Sequence, residues 1–336
     1  MSLMEFCWTL PVDPNSFAAS IEQACAAESH RYGAVLVSSL PKGMDPWVLS
    51  TAIGQRTKEI RLLIAQNTNY TLPTVTAKAW NSLKTITGCR ADLNIVTGSY
   101  LPELAKHGKP LNHSDRYKKT YEFVEILQLL KKGKTSFNGD FFQINHADVT
   151  PPFEAEDSGN IFVAGSSQDA ETVAAFVGDR YVVYADDVNT IRNKFAKVKA
   201  MGDSCSRQVK CGIFIDIIAR RTASEAWACA EKMVADSTYI QRRLNKAYVH
   251  QADSIGVRNH GKYFIQDDYK VDQHLWAGLS QISDSVSLSI VGSYLDVITA
   301  LKRYEEAGTD YFIVSGSRND REIERIGQYV LPYANG

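Results

Sequence analysis

Along the chain, short runs of β-branched and aliphatic residues alternate with longer stretches in which apolar positions recur at helical spacing. The short runs lie at 4–10, 34–40, 60–66, 91–95, 161–164, 180–184, 210–219 and 311–315. Most are near-continuously apolar, the pattern of parallel strands covered on both faces. The helical stretches fall between them, at 15–32, 46–55, 74–87, 114–131, 169–177, 188–201, 224–235, 293–307 and 319–329. In the first, Phe17, Ile21, Ala24 and Cys25 share a face. The second opens on Pro46, which a helix tolerates in its first turn. Eight strands, each followed by a helix, predict a (β/α)8 TIM barrel, with a doubly wound open sheet as runner-up. No linker or internal repeat divides the pattern, so residues 1–336 read as one domain.

Two segments break the rhythm. Residues 137–152, FNGDFFQINHADVTPP, read as a hairpin insertion with Asn138-Gly139 as its turn and Pro151-Pro152 as its stop. Residues 237–287 are rich in charge, Tyr and His and poor in apolar periodicity. An insertion of that length inside a compact domain predicts an active-site lid.

Composition narrows the partners. The chain has 336 residues, is 44% hydrophobic and 22% charged, and carries a net charge of −1. That suits a globular protein with a large core, and the lack of basic runs argues against nucleic acid. No apolar stretch reaches bilayer length and the first residues lack the features of a signal peptide, so a cytoplasmic location is expected. Cys7, Cys25, Cys89, Cys205, Cys211 and Cys229 form no C-x-x-C pair and read as reduced thiols. The histidines form no H-x-x-x-H pair, and no metal site is expected.

In a barrel of this kind the active site sits at the C-terminal ends of the strands. Those ends carry Asp13, Ser38, Ser39, Gln66, Asn67, Thr97, Ser166, Ser167, Tyr184, Asp216 and Ser315-Gly316-Ser317. Hydroxyls and amides dominate, which fits neither a metal site nor a glycosidase carboxylate pair. They suit a polar cofactor that brings its own reactivity. Gly165-Ser166-Ser167 separates an apolar run from a helical stretch. Ser166 and Asp169 resemble a capping box; a glycine beside a helix N-terminus is equally an anion site. His113 and Tyr117 share a helix face, and Arg116 between them can neutralise an anion. The plainer reading there is a solvated helix start capped by Ser114 or Asp115. Asn94-Ile95-Val96-Thr97-Gly98 places the Thr97 hydroxyl at the barrel mouth, or is simply a strand-end turn.

Further segments lie in order along most of the chain: PELAKHGKPLNHSDRY at 102–117, FNGDFFQI at 137–144, VAGSSQDA at 163–170, SEAW at 224–227, LWAG at 275–278, VGSY at 291–294 and AGTDYFIVSG at 307–316. With NIVTG at 94–98 they resemble the bacterial-luciferase-like flavin monooxygenases, specifically the alkanesulfonate monooxygenase branch. The resemblance implies a (β/α)8 barrel with insertions that binds reduced FMN supplied by a separate NAD(P)H:flavin reductase. The flavin then reacts with O2 to a C4a-peroxide that oxygenates the substrate. It implies that Gly165, Ser166, Ser167 and the following helix hold the phosphate, helped by His113, Arg116 and Tyr117. Thr97 and Asn94 would lie near the isoalloxazine, with Gln66 and Asp45 as further contacts. It also implies a homo-oligomer.

Departures from the branch pattern bear on the substrate. Phe214 and Asp216 stand where the branch carries Arg and His, and Lys42-Gly43-Met44-Asp45-Pro46-Trp47 lacks its Cys. Ser317 replaces a Tyr, Ser283 a lid Arg, and Asp13 a His. An anion pocket without cations is costly to fill, so a non-sulfonate substrate is expected. Asp13 and Asp216 suit an amine, and a buried Asp216 suits a general base; the plainer role for Asp216 is a hydrogen bond to neighbouring backbone or lid. Arg242, Arg243 and Lys246 suit an acidic partner, such as the phosphopantetheine arm of a carrier protein presenting a biosynthetic intermediate. The alternatives are a flavin-binding protein without oxygenase activity and a deazaflavin-dependent oxidoreductase on the same fold.

Overall fold

A computed structural model describes residues 4–12, 16–41, 43–154, 159–260, 263, 269–282, 288–316 and 321–335, without the side chains of 241, 244, 246, 248, 250 and 260. The described strands are β1 (Glu5–Thr9), β2 (Ala34–Val37), β3 (Arg61–Asn67), β4 (Ala91–Val96), β5 (Thr135–Asn138), β6 (Gln143–Ala147), β7 (Ile161–Ala164), β8 (Arg180–Tyr184), β9 (Lys210–Arg220), β10 (Leu275–Trp276), β11 (Ser289–Ser293) and β12 (Tyr311–Ser315). The described helices are α1 (Phe17–Ser29), α2 (Pro46–Gly54), α3 (Pro73–Thr87), α4 (Leu101–Ala105), α5 (His113–Lys132), α6 (Gln168–Phe176), α7 (Val188–Asp203), α8 (Ala223–Ala235), α9 (Tyr239–Gln251), α10 (Ile255–His260), α11 (Tyr294–Glu306), α12 (Glu322–Tyr329) and α13 (Leu331–Ala334). Strands β1, β2, β3, β4, β7, β8, β9 and β12 pair in parallel, and the β8–β9 and β9–β12 pairings close the ring. These are the eight apolar runs of the sequence, and the open-sheet alternative falls with the closure.

The barrel interior is an apolar cluster of Cys7, Ala34, Leu36, Leu63, Phe162, Val182, Tyr311 and Ile313, with Phe214 packed against it. Alternation along each strand turns the remaining residues outward, onto the helices. Ion pairs close the N-terminal end of the ring. Arg180 Nη1 reaches Glu5 Oε2 at 2.7 Å, and Arg61 Nε reaches Asp92 Oδ2 at 2.6 Å. The Arg180 guanidinium also lies 5.1 Å from the Phe162 ring and 5.2 Å from the Tyr311 ring. With that end plugged, the polar side chains at the C-terminal ends of the strands are left as the candidate site.

Local sequence sets the helix starts. Pro46 and Pro73 sit in the first turns of α2 and α3. Thr222 with Glu225 and Ser293 with Asp296 form reciprocal capping boxes on α8 and α11. The segment read as a hairpin contains the antiparallel pair β5–β6. Its turn differs from the two-residue Asn138-Gly139 reading, because Asn138 still belongs to β5 and Gly139 N–H donates to Phe142 O at 2.9 Å. The cause is tertiary: the Glu122 carboxylate accepts from the N–H groups of Asp140, Phe141 and Phe142 at 2.7, 3.0 and 3.0 Å.

Within 237–287, α9 and α10 follow α8, and β10 leads towards the barrel. Strand β11 then extends the barrel wall: Ser289 to Ser293 pair in parallel with Asp216 to Arg220, while β10 is antiparallel to β11. The apolar pattern does not reveal β11, because its Ser-Ile-Val-Gly-Ser has only two aliphatic residues and runs straight into α11. Among the described residues, no helix is long and apolar enough to cross a membrane.

Candidate functional site

At the C-terminal end of β7 the chain turns through Gly165 into α6. Gly165 has φ +151°, and a Cβ there would fall 2.2 Å from Tyr117 Oη and 2.8 Å from Ala170 Cβ. Only glycine lets the two segments approach this closely. Ser167, rather than Ser166, caps α6: its Oγ accepts from Ala170 N–H at 3.1 Å. The expected Ser166/Asp169 capping box does not form, because Ser166 is still within the turn and the residue three after Ser167 is Ala170. By helix geometry the first N–H groups of α6 have no intrahelical acceptor, and they carry the positive end of the helix dipole.

Helix α5 brings the second wall. It starts at His113 under an Asn112 cap, whose Oδ1 accepts from Asp115 N–H at 2.9 Å; neither Ser114 nor Asp115 is the cap. The rings of His113 and Tyr117 lie 5.0 Å apart, centroid to centroid, on one face. Tyr117 is buried and shares hydrogen bonds with the Thr97 and Ser167 side chains. Burial pushes its phenol upward against those hydrogen bonds, so it stays a neutral donor beside the helix terminus. His113 Nδ1 lies 3.6 Å from Asp169 Oδ2. From below, Lys194 Nζ donates to Ser166 O at 3.0 Å and to Glu171 Oε1 at 2.7 Å, bracing the turn. Thr97, His113, Tyr117, Gly165, Ser166 and Ser167, named from the sequence, therefore line one cradle.

Arg116, three residues on from His113 and so its neighbour on α5, is already paired. It is 1% exposed, with Nη1 donating to Leu111 O and Nη2 to Asp253 Oδ2, each at 2.8 Å. Its Nε is buried without a partner among the described residues. Its guanidinium thus reaches the segment that follows α9. Asp253 could not have been found from the sequence, since nothing in its neighbourhood marks an anion aimed at α5.

A second cluster lies across the mouth, on β3 and β4. Gln66 Oε1 accepts from Trp47 Nε1 at 2.9 Å, and Gln66 Nε2 donates to Asn67 O at 2.9 Å. Asn69 Nδ2 donates to Thr97 O at 2.7 Å and to Asn67 Oδ1 at 2.9 Å, joining this cluster to the cradle. Asn94 stands in register with Phe162 of the interior cluster, and so faces inward. Its Oδ1 is buried without a partner among the described residues, as are Thr9 Oγ1 and Ser289 Oγ. Buried polar atoms of this kind carry a cost unless something satisfies them. Asp45 sits apart: it is exposed, and its Oδ1 caps α2 through Trp47 N and Val48 N, both at 3.0 Å. Its carboxylate serves α2 and touches the cluster only through Trp47.

Asp216 lies two residues beyond Phe214 on β9, opposite Ser315 and Ser289 in register, so β9 turns it into the mouth, 2% exposed. Tyr184 packs edge-on against Phe214 with centroids 5.6 Å apart. Above it, Ala252 and Val257 pack with Tyr184 as a small apolar cluster. Arg242 and Arg243 are exposed on α9. Asp13, Ser283, Ser317 and the Lys246 side chain fall outside the described residues.

The cap gives a first prediction. Ser167→Ala removes an N-cap side chain, which costs about 1 kcal/mol of stability. It also strips one hydroxyl from the cradle. Thermal unfolding should show the loss of stability.

A family model described as "Luciferase-like monooxygenase" matches residues 4–311, and the chain belongs to that family. Solved structures share the fold at low identity. EDTA monooxygenase (EmoA) from Chelativorans sp. BNC1 aligns with a TM-score of 0.81 at 18% identity, covering 99% of this chain and 93% of its own. A riboflavin lyase (RcaE) with modified FMN and its substrate riboflavin aligns at 0.81 and 14% identity, covering 98% and 91%. An F420-dependent secondary alcohol dehydrogenase, in complex with an F420-acetone adduct, aligns at 0.75 and 16% identity, covering 100% of both.

Proposed function

We propose that this protein is a two-component monooxygenase that uses reduced FMN, supplied by a separate NAD(P)H:flavin reductase, and O2. The observation that supports this best is the cradle: a helix N-terminus, the Ser167 hydroxyl, Tyr117 and His113 come together at the mouth of a luciferase-like barrel, with Ser166 in the turn between them. That donor set fits a phosphate. Across the mouth, the unpartnered Asn94 Oδ1 fits a polar heterocycle edge. When bound, the flavin supplies the electrons and the reaction with O2. The chain's own residues anchor its phosphate, orient its ring and keep water from the mouth.

On the substrate side, Phe214, Tyr184 and Asp216 offer an aromatic wall and a carboxylate. We read the substrate as a small non-sulfonate molecule, with an amine favoured, placed within or beside the alkanesulfonate branch. The exposed Arg242 and Arg243 leave room for delivery on an acidic carrier. A cytoplasmic homo-oligomer is the expected state.

The fold likeness to an F420-dependent dehydrogenase favours one competing reading, a deazaflavin-dependent oxidoreductase. Equilibrium titration decides between them. The proposal expects saturable binding of FMN or FMNH2 that weakens when the phosphate is removed. Saturable binding of F420 with none of either FMN form would replace it.

A further inference from the structure

We propose that Asp253 is an internal stand-in for the cofactor phosphate: it occupies Arg116 while the segment 249–258 is seated on the cradle, and an arriving phosphate displaces both. The inference rests on the cradle being the phosphate site.

Three observations carry it. First, Arg116 is a buried cation, and such a charge requires an anion. In this structure the anion is Asp253, at 2.8 Å, while Arg116 Nε remains unpartnered among the described residues. Second, 249–258 rests on the walls of the cradle. Asp253 N–H donates to Ser99 O at 2.7 Å, Ala252 bridges Tyr100, and Tyr100 Oη donates to Gln251 Oε1 at 3.0 Å. Gly256 lies so close that a Cβ on it would be 3.0 Å from Ser166 Oγ. The seated segment therefore packs over the Ser166 side of the cradle. Third, the charges compete. Arg116, His113 and Arg258 all act on Asp253; burial opposes its ionisation, yet these neighbours hold its carboxyl below the usual range. The same cations would serve a phosphate, and a phosphate repels a carboxylate beside it.

Asp253 is thereby a specificity determinant. A flavin bearing phosphate can displace it; riboflavin cannot.

The test uses the full chain and hydrogen–deuterium exchange over 249–258, with inorganic phosphate, FMN and riboflavin as probes. Phosphate and FMN should each raise exchange there, and riboflavin should not. Asp253→Asn should raise it without ligand and tighten FMN relative to riboflavin about fivefold or more. Tyr100→Phe should loosen the same segment but leave the FMN-to-riboflavin ratio unchanged, separating charge from simple loosening. Protection of 249–258 by FMN or phosphate overturns the proposal. So does a folded Asp253→Asn protein with an unaltered ratio. If neither flavin binds wild type, the functional reading fails by itself, and phosphate alone decides: raised exchange supports the stand-in, unchanged exchange overturns it.

Discussion

Gly165→Ala is expected to disable the cofactor site and destabilise the barrel together. The added methyl would have to sit 2.2 Å from Tyr117 Oη, at a backbone φ of +151° that other residues rarely adopt. Relief requires moving Tyr117, which is buried and tied to Thr97 and Ser167, or shifting the start of α6. Overpacking costs about 1–3 kcal/mol. Backbone strain adds about 1–3 kcal/mol more. Either relaxation misaligns the donors that face the phosphate, so FMN affinity should fall at least about tenfold, or about 1.4 kcal/mol. Thermal unfolding and flavin titration of the same preparation check both parts. A variant with native stability and affinity would show that Gly165 is not a point of obligatory close approach.

Asp216→Asn should leave the flavin site intact and remove turnover. The side chain is isosteric, and its strand neighbours Phe214 and Ile217 stay buried or packed in the core. What changes is the carboxyl group that β9 turns into the mouth. A carboxylate that takes a proton from the substrate, or pairs with its amine, contributes about 10²–10⁴-fold to rate. The rate of product formation should therefore fall by about that factor, while FMNH2 affinity stays within about twofold, below 0.5 kcal/mol. Equal losses in binding and turnover would instead assign Asp216 to the support of the flavin pocket.

The barrel was legible because parallel strands buried on both faces leave near-continuous apolar runs, and most of the eight show that pattern. Strand β11 was not, because two aliphatic residues between serines and a glycine carry no periodicity; its place comes from pairing with the upper half of β9. The cradle was legible as a glycine and two hydroxyls between strand and helix, although the serine that caps proved to be Ser167. Arg116 shows the limit. Its spacing from His113 and Tyr117 suggested an anion, but not the carboxylate 137 positions away that pairs with it here. Asp45 shows another: a polar residue near a motif can be spent on a helix cap.

The central claim is that this barrel binds reduced FMN and controls its reaction with O2. The most direct measurement is anaerobic titration with FMN and FMNH2, followed by mixing of the FMNH2 complex with O2 in a stopped-flow spectrometer. FMNH2 is expected to bind more tightly than FMN, and oxidised-flavin absorbance to return with kinetics distinct from those of free FMNH2. Failure to bind either form, or reoxidation at the rate of free FMNH2 under saturating protein, would contradict the claim.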